Sequence, residues 1–178
     1  MESESPSIGK VLVTQDEIRA KVQELGKQIS KDYEGEKVLL VGVLKGAFIF
    51  MADLIREIDI DCEVDFMAVS SYGAATRSSG VVRIIKDLDA DLTDRHVIVV
   101  EDIIDSGLTL SYLKKNLMAR GPQTLEVCAM FVKRELQKTN EKVKYEGFDI
   151  PPDFVIGYGL DAAENFRGLP YLAVFNED

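Results

Sequence analysis

The chain has 178 residues and a mass of 19.8 kDa, the size of one domain around one main core. Hydrophobic residues make up 46% and charged residues 29%, a composition that excludes intrinsic disorder. Lys and Arg together number 21 against 31 Asp and Glu, for a net charge of −10, which argues against a protein built to coat nucleic acid through dense cations, yet is compatible with a small anionic substrate held by a few donors and a divalent cation.

From the N-terminus, Met1–Lys10 is polar and acidic and is read as a disordered tail, without the apolar stretch of a secretory signal. Thr14-Gln15-Asp16-Glu17 has the spacing of a capping box, and Ile18, Val22, Leu25 and Ile29 recur behind it at helical spacing. Val38–Val43 is an apolar run of strand length, followed by a helix whose face is marked by Phe48, Met51, Leu54 and Ile58. Val64, Phe66 and Ala68 alternate as in a strand, which runs into a loop of small residues over 70–80. His96–Val100 is β-branched, as expected of a strand covered on both faces. Leu110, Leu113 and Leu117 mark a third helix that ends at Arg120-Gly121-Pro122. Further strands are predicted at Leu125–Val132, Phe154–Tyr158 and Tyr171–Phe175, with a charged exposed loop or hairpin over Lys133–Lys144.

Strands that alternate with helices and read as buried predict an α/β fold with a mainly parallel twisted sheet flanked by helices, in a single domain over 1–178. The two cysteines, Cys62 and Cys128, lie in apolar stretches and read as reduced thiols. No apolar run is long enough for a membrane span, so a cytoplasmic location is expected.

The densest chemistry lies in Val99-Val100-Glu101-Asp102-Ile103-Ile104-Asp105-Ser106-Gly107-Leu108-Thr109. A buried strand ends here in adjacent carboxylates, and a Ser-Gly-Leu-Thr turn opens a helix. Backbone N–H groups at a helix start, with the dipole behind them, suit a phosphate. Carboxylates cannot bind phosphate directly but suit ribose hydroxyls or Mg²⁺. The same pattern also suits an ordinary helix cap formed by Asp105 or Ser106. A Walker A sequence is absent, and Gly157-Tyr158-Gly159 lacks the rest of a dinucleotide fingerprint.

This segment resembles the phosphoribosyl-diphosphate (PRPP) signature of type I phosphoribosyltransferases, and more narrowly the hypoxanthine-guanine phosphoribosyltransferase family. Leu44-Lys45-Gly46, Ser71-Tyr72-Gly73, Val132-Lys133-Arg134 and Phe154-Val155-Ile156-Gly157-Tyr158-Gly159-Leu160-Asp161, with Arg167 beyond, follow in the family's order. The resemblance implies that fold, with a small base-binding hood built from the termini. It also implies transfer of the phosphoribosyl group from PRPP to hypoxanthine or guanine, with Mg²⁺ as cofactor and assembly as a homodimer or homotetramer.

By the same resemblance, Ile104, Asp105, Ser106, Gly107, Leu108 and Thr109 form the 5′-phosphate loop, and Glu101 and Asp102 hold the ribose, partly through Mg²⁺. Asp105 is the candidate general acid/base toward purine N7. Lys45, Gly46 and Arg167 take the diphosphate. Lys133 donates to the 6-oxo group, Phe154 stacks on the base, Val155 reads its edge, and Asp161 stands near the base and a second Mg²⁺. Ser71 and Tyr72 belong to a mobile lid, and His96 is structural. Ala162 stands where relatives commonly carry an aromatic, which leaves preference at the purine 2-position, and hence a xanthine-preferring enzyme, open. A PRPP-fold regulator that binds RNA is a further alternative, disfavoured by the acidic composition.

Overall fold

The computed structural model describes residues 7–71 and 82–177. The strands and helices alternate as β1 (Ser7–Val13), α1 (Gln15–Asp32), β2 (Val38–Leu44), α2 (Phe48–Arg56), β3 (Cys62–Ser71), β4 (Val82–Lys86), β5 (His96–Ile104), α3 (Leu108–Met118), β6 (Thr124–Val132), β7 (Tyr145–Asp149), β8 (Val155–Ile156) and β9 (Leu172–Asn176). A six-stranded sheet has the order β4-β3-β2-β5-β6-β7. Its pairings are parallel except for the antiparallel edge strand β4.

Both faces of that sheet are covered, and this explains the unbroken apolar runs of β2 and β5. Leu40, Ile98 and Val100 turn toward α1 and α2, where Val22, Leu25, Phe50 and Leu54 complete one apolar cluster. Leu39, Val41, Val97 and Val99 turn the other way, onto Leu110, Leu113 and Leu117 of α3. The three leucines expected on α3 are its buried residues. On α2 the buried stripe is Phe50, Met51 and Leu54, and Phe48, expected on that face, is 45% exposed. It lies outside the arc that those three residues turn to the sheet.

A second, three-stranded sheet has the order β1-β9-β8 and joins the two ends of the chain, as the expected hood requires. Its existence corrects the expected tail over 1–10, because Ser7–Lys10 belong to β1 and Ser7 and Ile8 pair with Asn176 and Phe175. The strand expected over Phe154–Tyr158 is confined to Val155–Ile156. Gly157, Tyr158 and Gly159 have φ of 100°, 48° and 97° and fold the chain into a tight turn instead.

The path of the chain reverses between β2 and β5. From β2 it moves outward through α2 to β3, and from β5 it moves the other way through α3 to β6. The loops at the carboxyl ends of two such strands diverge and leave a crevice, the usual ligand position in an open α/β sheet. In this chain those ends are Leu44-Lys45-Gly46 and Glu101–Thr109.

Candidate active site

A cleft of about 340 Å³ occupies that crevice. Its walls include Gly46, Glu101, Asp102, Ile104, Asp105, Ser106, Gly107 and Thr109, joined by Asp161 and Arg167 from the hood side. Ten residues singled out from the sequence are thus brought together. Lys45, Leu108, Lys133, Phe154 and Val155 are not among its walls. A slightly larger cleft, about 390 Å³, lies between α1, α2 and Gly168–Pro170, and none of the expected site residues line it.

The β5–α3 corner is built by backbone geometry. Gly107 is the N-cap of α3 at φ 82°, a left-handed conformation that residues with a Cβ disfavour. A Cβ there would also lie 2.3 Å from Thr139 Oγ1. The Ser106 hydroxyl accepts from Leu108 N–H at 3.3 Å, and the Ser106 carbonyl accepts from Lys138 N–H at 2.8 Å. The charged segment after β6 therefore braces this corner, beyond being the exposed loop expected. Asp105 is not a cap: its carboxylate lies 3.1 Å from Lys133 Nζ. Lys133, expected at the base, is itself buried, at 6% exposure, and its N–H donates to Ile104 O at 2.9 Å.

Glu101 and Asp102 end β5 side by side. Burial, reinforced by the neighbouring Asp102 charge, drives the Glu101 carboxyl well above the usual carboxylate range. Burial likewise pushes Asp102 up to about 6, even though the Ile103 N–H and the charge of Arg167 favour its ionised form. A buried pair of oxygen donors that resists carrying two negative charges is a fitting place for a hard divalent cation. Asp161, expected to ligate metal as well, is not gathered with this pair into a three-ligand cluster among the described residues. Its oxygens engage the hood instead: Oδ1 lies 3.4 Å from Arg167 Nη2 and Oδ2 accepts from Glu164 N–H at 2.8 Å.

Close backbone contacts join hood and sheet. A Cβ on Gly46 would lie 1.7 Å from Asp102 Oδ2, and one on Gly159 would lie 2.0 Å from the Gly46 carbonyl oxygen. Only glycine fits at both places, so β2, β5 and the hood turn meet in one stack. Arg167 Nη1 donates to Gly159 O at 2.7 Å, which carries the guanidinium to the cleft. The Leu44–Lys45 peptide bond is cis. Lys45 reaches Glu164 at 3.3 Å, a residue that sequence reasoning passed over although it lies three positions before Arg167.

Phe154 is 52% exposed, with its ring edge-to-face on Phe175 at 5.7 Å between centroids; Val155 is buried in the core. About half of Phe154 thus remains open among the described residues, whereas the Val155 side chain is committed to packing. Ser71 ends β3, and Tyr72, the other lid residue, lies outside the described residues. His96 pairs through Nδ1 with Thr124 Oγ1 at 2.7 Å and meets the Tyr33 ring edge-to-face, in keeping with a structural role.

Residues 12–163 match the family model described as phosphoribosyl transferase domain. Hypoxanthine-guanine phosphoribosyltransferase from Mycobacterium tuberculosis is 50% identical over 175 residues, covering 95% of this chain and 87% of the relative. The chain belongs to the hypoxanthine-guanine phosphoribosyltransferase family. Another member, from Bacillus subtilis, is 49% identical over 167 residues, covering 94% of this chain and 93% of its own length. The fold agrees as well. The crystal structure of a Bacillus anthracis hypoxanthine-guanine phosphoribosyltransferase, with a HEPES molecule in its active site, superposes with a TM-score of 0.92 at 45% identity. That comparison covers 96% of this chain and all of the other. It fits the type I phosphoribosyltransferase architecture expected from the sequence.

Proposed function

We propose that this chain is a purine salvage enzyme that transfers the 5-phosphoribosyl group from PRPP to N9 of hypoxanthine or guanine, releasing diphosphate and forming IMP or GMP. Family membership supports the reaction class, and the Asp105–Lys133 pair is the observation that carries the choice of base. In the N7–H form of a free 6-oxopurine base, N7–H is a donor and O6 an acceptor on one edge, so the first suits a carboxylate and the second an ammonium. A carboxylate and an ammonium 3.1 Å apart at the β5–α3 corner can address those two atoms together.

In this reading N9 attacks the ribose C1 carbon as the bond to the diphosphate oxygen breaks, and the proton on N7 passes to Asp105. Lys133 donates to O6. Adenine carries an amino group at that position, so two donors would face each other, and an unsatisfied polar contact of this kind costs about 1–3 kcal/mol. Phe154 stacks on the base through its exposed face, and backbone groups at Val155 read the base edge.

The first-turn N–H groups of α3, with Ser106 and Thr109, hold the 5′-phosphate, where the helix dipole favours an anion. Glu101 and Asp102 hold the ribose hydroxyls and would hold Mg²⁺; when bound, the ion neutralises charge on the diphosphate leaving group. Lys45, Gly46 and Arg167 receive the diphosphate, and Asp161 fixes Arg167. Ser71 and Tyr72 belong to a lid that excludes water during transfer. Most of the rate enhancement then comes from positioning and electrostatics rather than from covalent chemistry.

The test is product formation from PRPP and Mg²⁺ with hypoxanthine, guanine, xanthine or adenine supplied separately. Turnover of hypoxanthine and guanine without adenine is expected. A preference for xanthine would move the specificity, and turnover of adenine alone would overturn the role of Lys133. Asp105→Asn is expected to lower kcat by about 10²-fold or more; wild-type turnover would remove Asp105 from the chemistry. Light scattering after size-exclusion chromatography tests the expected homodimer or homotetramer.

A further inference from the structure

Glu164 is the charged residue beside the cleft to which the proposed chemistry gives no task. Its carboxylate lies between the two cations assigned to diphosphate. Oε2 is 3.3 Å from Lys45 Nζ, a residue 119 positions earlier. Oε1 and Oε2 lie 3.3 Å and 3.4 Å from Arg167 Nη2. A compact oxyanion that engages an ammonium and a guanidinium at once is the kind of group a phosphate also presents.

The backbone that delivers this carboxylate is strained. Ala163, Glu164 and Phe166 have φ of 49°, 66° and 76°, in the left-handed region that residues with a Cβ avoid. Such conformations persist where surrounding bonds hold them, and they concentrate at functional sites. Here the Glu164 N–H donates to Asp161 Oδ2 at 2.8 Å, and Ala162 and Asn165 exchange backbone hydrogen bonds at 3.0 and 3.1 Å. The Arg167 Nε is buried and has no hydrogen-bond partner among the described residues, so the guanidinium retains donor capacity.

We propose that Glu164 is a positioning residue that stands in for the diphosphate: its carboxylate holds Lys45, which follows β2 just outside the cleft walls, against Arg167 of the cleft while the site is empty, and yields both to the incoming anion. The inference rests on the reading that Lys45 and Arg167 receive the diphosphate. The exchange is feasible because the Glu164 side chain is 65% exposed and can turn into solvent. Arg167 stays in place when it does, because Nη1 remains on Gly159 O and Nη2 remains near Asp161. Exposed ion pairs of this kind are weak enough to exchange.

The test is calorimetric titration of the full chain with inorganic pyrophosphate and Mg²⁺. With its competing carboxylate removed, Glu164→Gln is expected to bind pyrophosphate about two- to fivefold more tightly than the wild type, and the difference should shrink as salt is raised. The KM for PRPP should fall with it, whereas loss of a merely structural residue would raise KM. Glu164→Asp, which keeps the charge on a shorter arm, should lie between the two. Pyrophosphate binding by Glu164→Gln that equals or falls below the wild type overturns the proposal. Should that variant unfold, Glu164→Asn supplies the same comparison, since Asn tolerates the left-handed backbone. Lys45→Gln separates this inference from the reading beneath it. Unchanged pyrophosphate affinity in Lys45→Gln removes Lys45 from the diphosphate site. Weakened affinity there, without tightening in Glu164→Gln, overturns only the placeholder role.

Discussion

The two walls of the cleft are made in different ways. On the sheet side, Glu101–Thr109 is the end of a strand and the start of a helix. Its strand part is fixed by the ladder to β6 as far as Ile104, with Ile103 packed against the core on one face of the sheet and Ile104 buried on the other. On the hood side, Gly157–Arg167 has little regular structure. It is a series of tight turns with positive φ at Gly157, Tyr158, Gly159, Ala163, Glu164 and Phe166. Side-chain bonds around Arg167 and Asp161 hold it. A phosphate needs amides fixed in space, which a strand–helix corner supplies. A leaving group must be gripped and then released, which suits a wall held by exchangeable contacts.

The joint between the walls is where the comparison breaks most easily. Gly46→Ala would place a methyl 1.7 Å from Asp102 Oδ2, and Gly159→Ala would place one 2.0 Å from Gly46 O. Each is expected to lower kcat/KM by about 10²-fold, the cost of misplacing bound groups by about an ångström. Because both act on one stack, the double variant should lose much less than the product of the two, as steady-state kinetics on all three will show. Full additivity would mean that the two walls work independently.

A second test concerns the sheet wall alone. Asp102→Asn should reduce transferase activity at least about tenfold, through lost ribose and Mg²⁺ contacts, while raising the stability of the metal-free protein at pH 7 to 8. The sign follows from the raised folded pKa, about 6 against 3.8. The native state binds the Asp102 proton more tightly than the unfolded chain does, so stability declines as pH rises through that interval and stays lower above it. Removing the charge should restore about 1–3 kcal/mol, read as a shift in the urea midpoint with EDTA present. A variant that is less stable across pH 5 to 8 would contradict the burial argument.

Gly107→Ala tests the corner's own geometry. Left-handed φ and the contact with Thr139 should cost about 1–3 kcal/mol. Combining it with Thr139→Ala should recover the part due to crowding, again by denaturant unfolding. The smallest effect is expected far from either wall. Thr14 caps α1, its Oγ1 accepting from Glu17 N–H at 3.2 Å, so Thr14→Ala should cost about 1 kcal/mol and leave kcat and KM unchanged.

Much of the sheet wall was legible in the sequence because its chemistry is local. Adjacent residues carry the buried strand, the carboxylates and the glycine turn, and the α3 leucines repeat at helical spacing. Other elements were hidden by their surroundings. β7 begins directly after the charged stretch Lys133–Lys144 and has weak apolar alternation of its own, yet its Tyr145 is fully buried. The first residues of β1, Ser7–Lys10, read as part of a polar tail because their partner, β9, is at the other end of the chain. The partners of Asp161 were not legible either: it is an acid in the expected place, and its oxygens meet Arg167 and the Glu164 N–H within the hood. Glu164 could have been noticed as an acid one helical turn's spacing from Arg167, although spacing alone would have paired it only with that neighbour and not with Lys45.

Local pattern alone determined the alternation of strands and helices, the two-sided burial of β5 and the glycine-containing corner between β5 and α3, because each depends on residues a few positions apart that obey the periods of helix and strand. Folding in three dimensions decided the rest. It brought Lys133 onto Asp105, set Gly159 on Gly46 and Gly46 on Asp102, and placed Glu164 between Lys45 and Arg167. Those contacts join residues distant along the chain, and their geometry is set by how the hood seats on the carboxyl edge of the sheet, which no local period records.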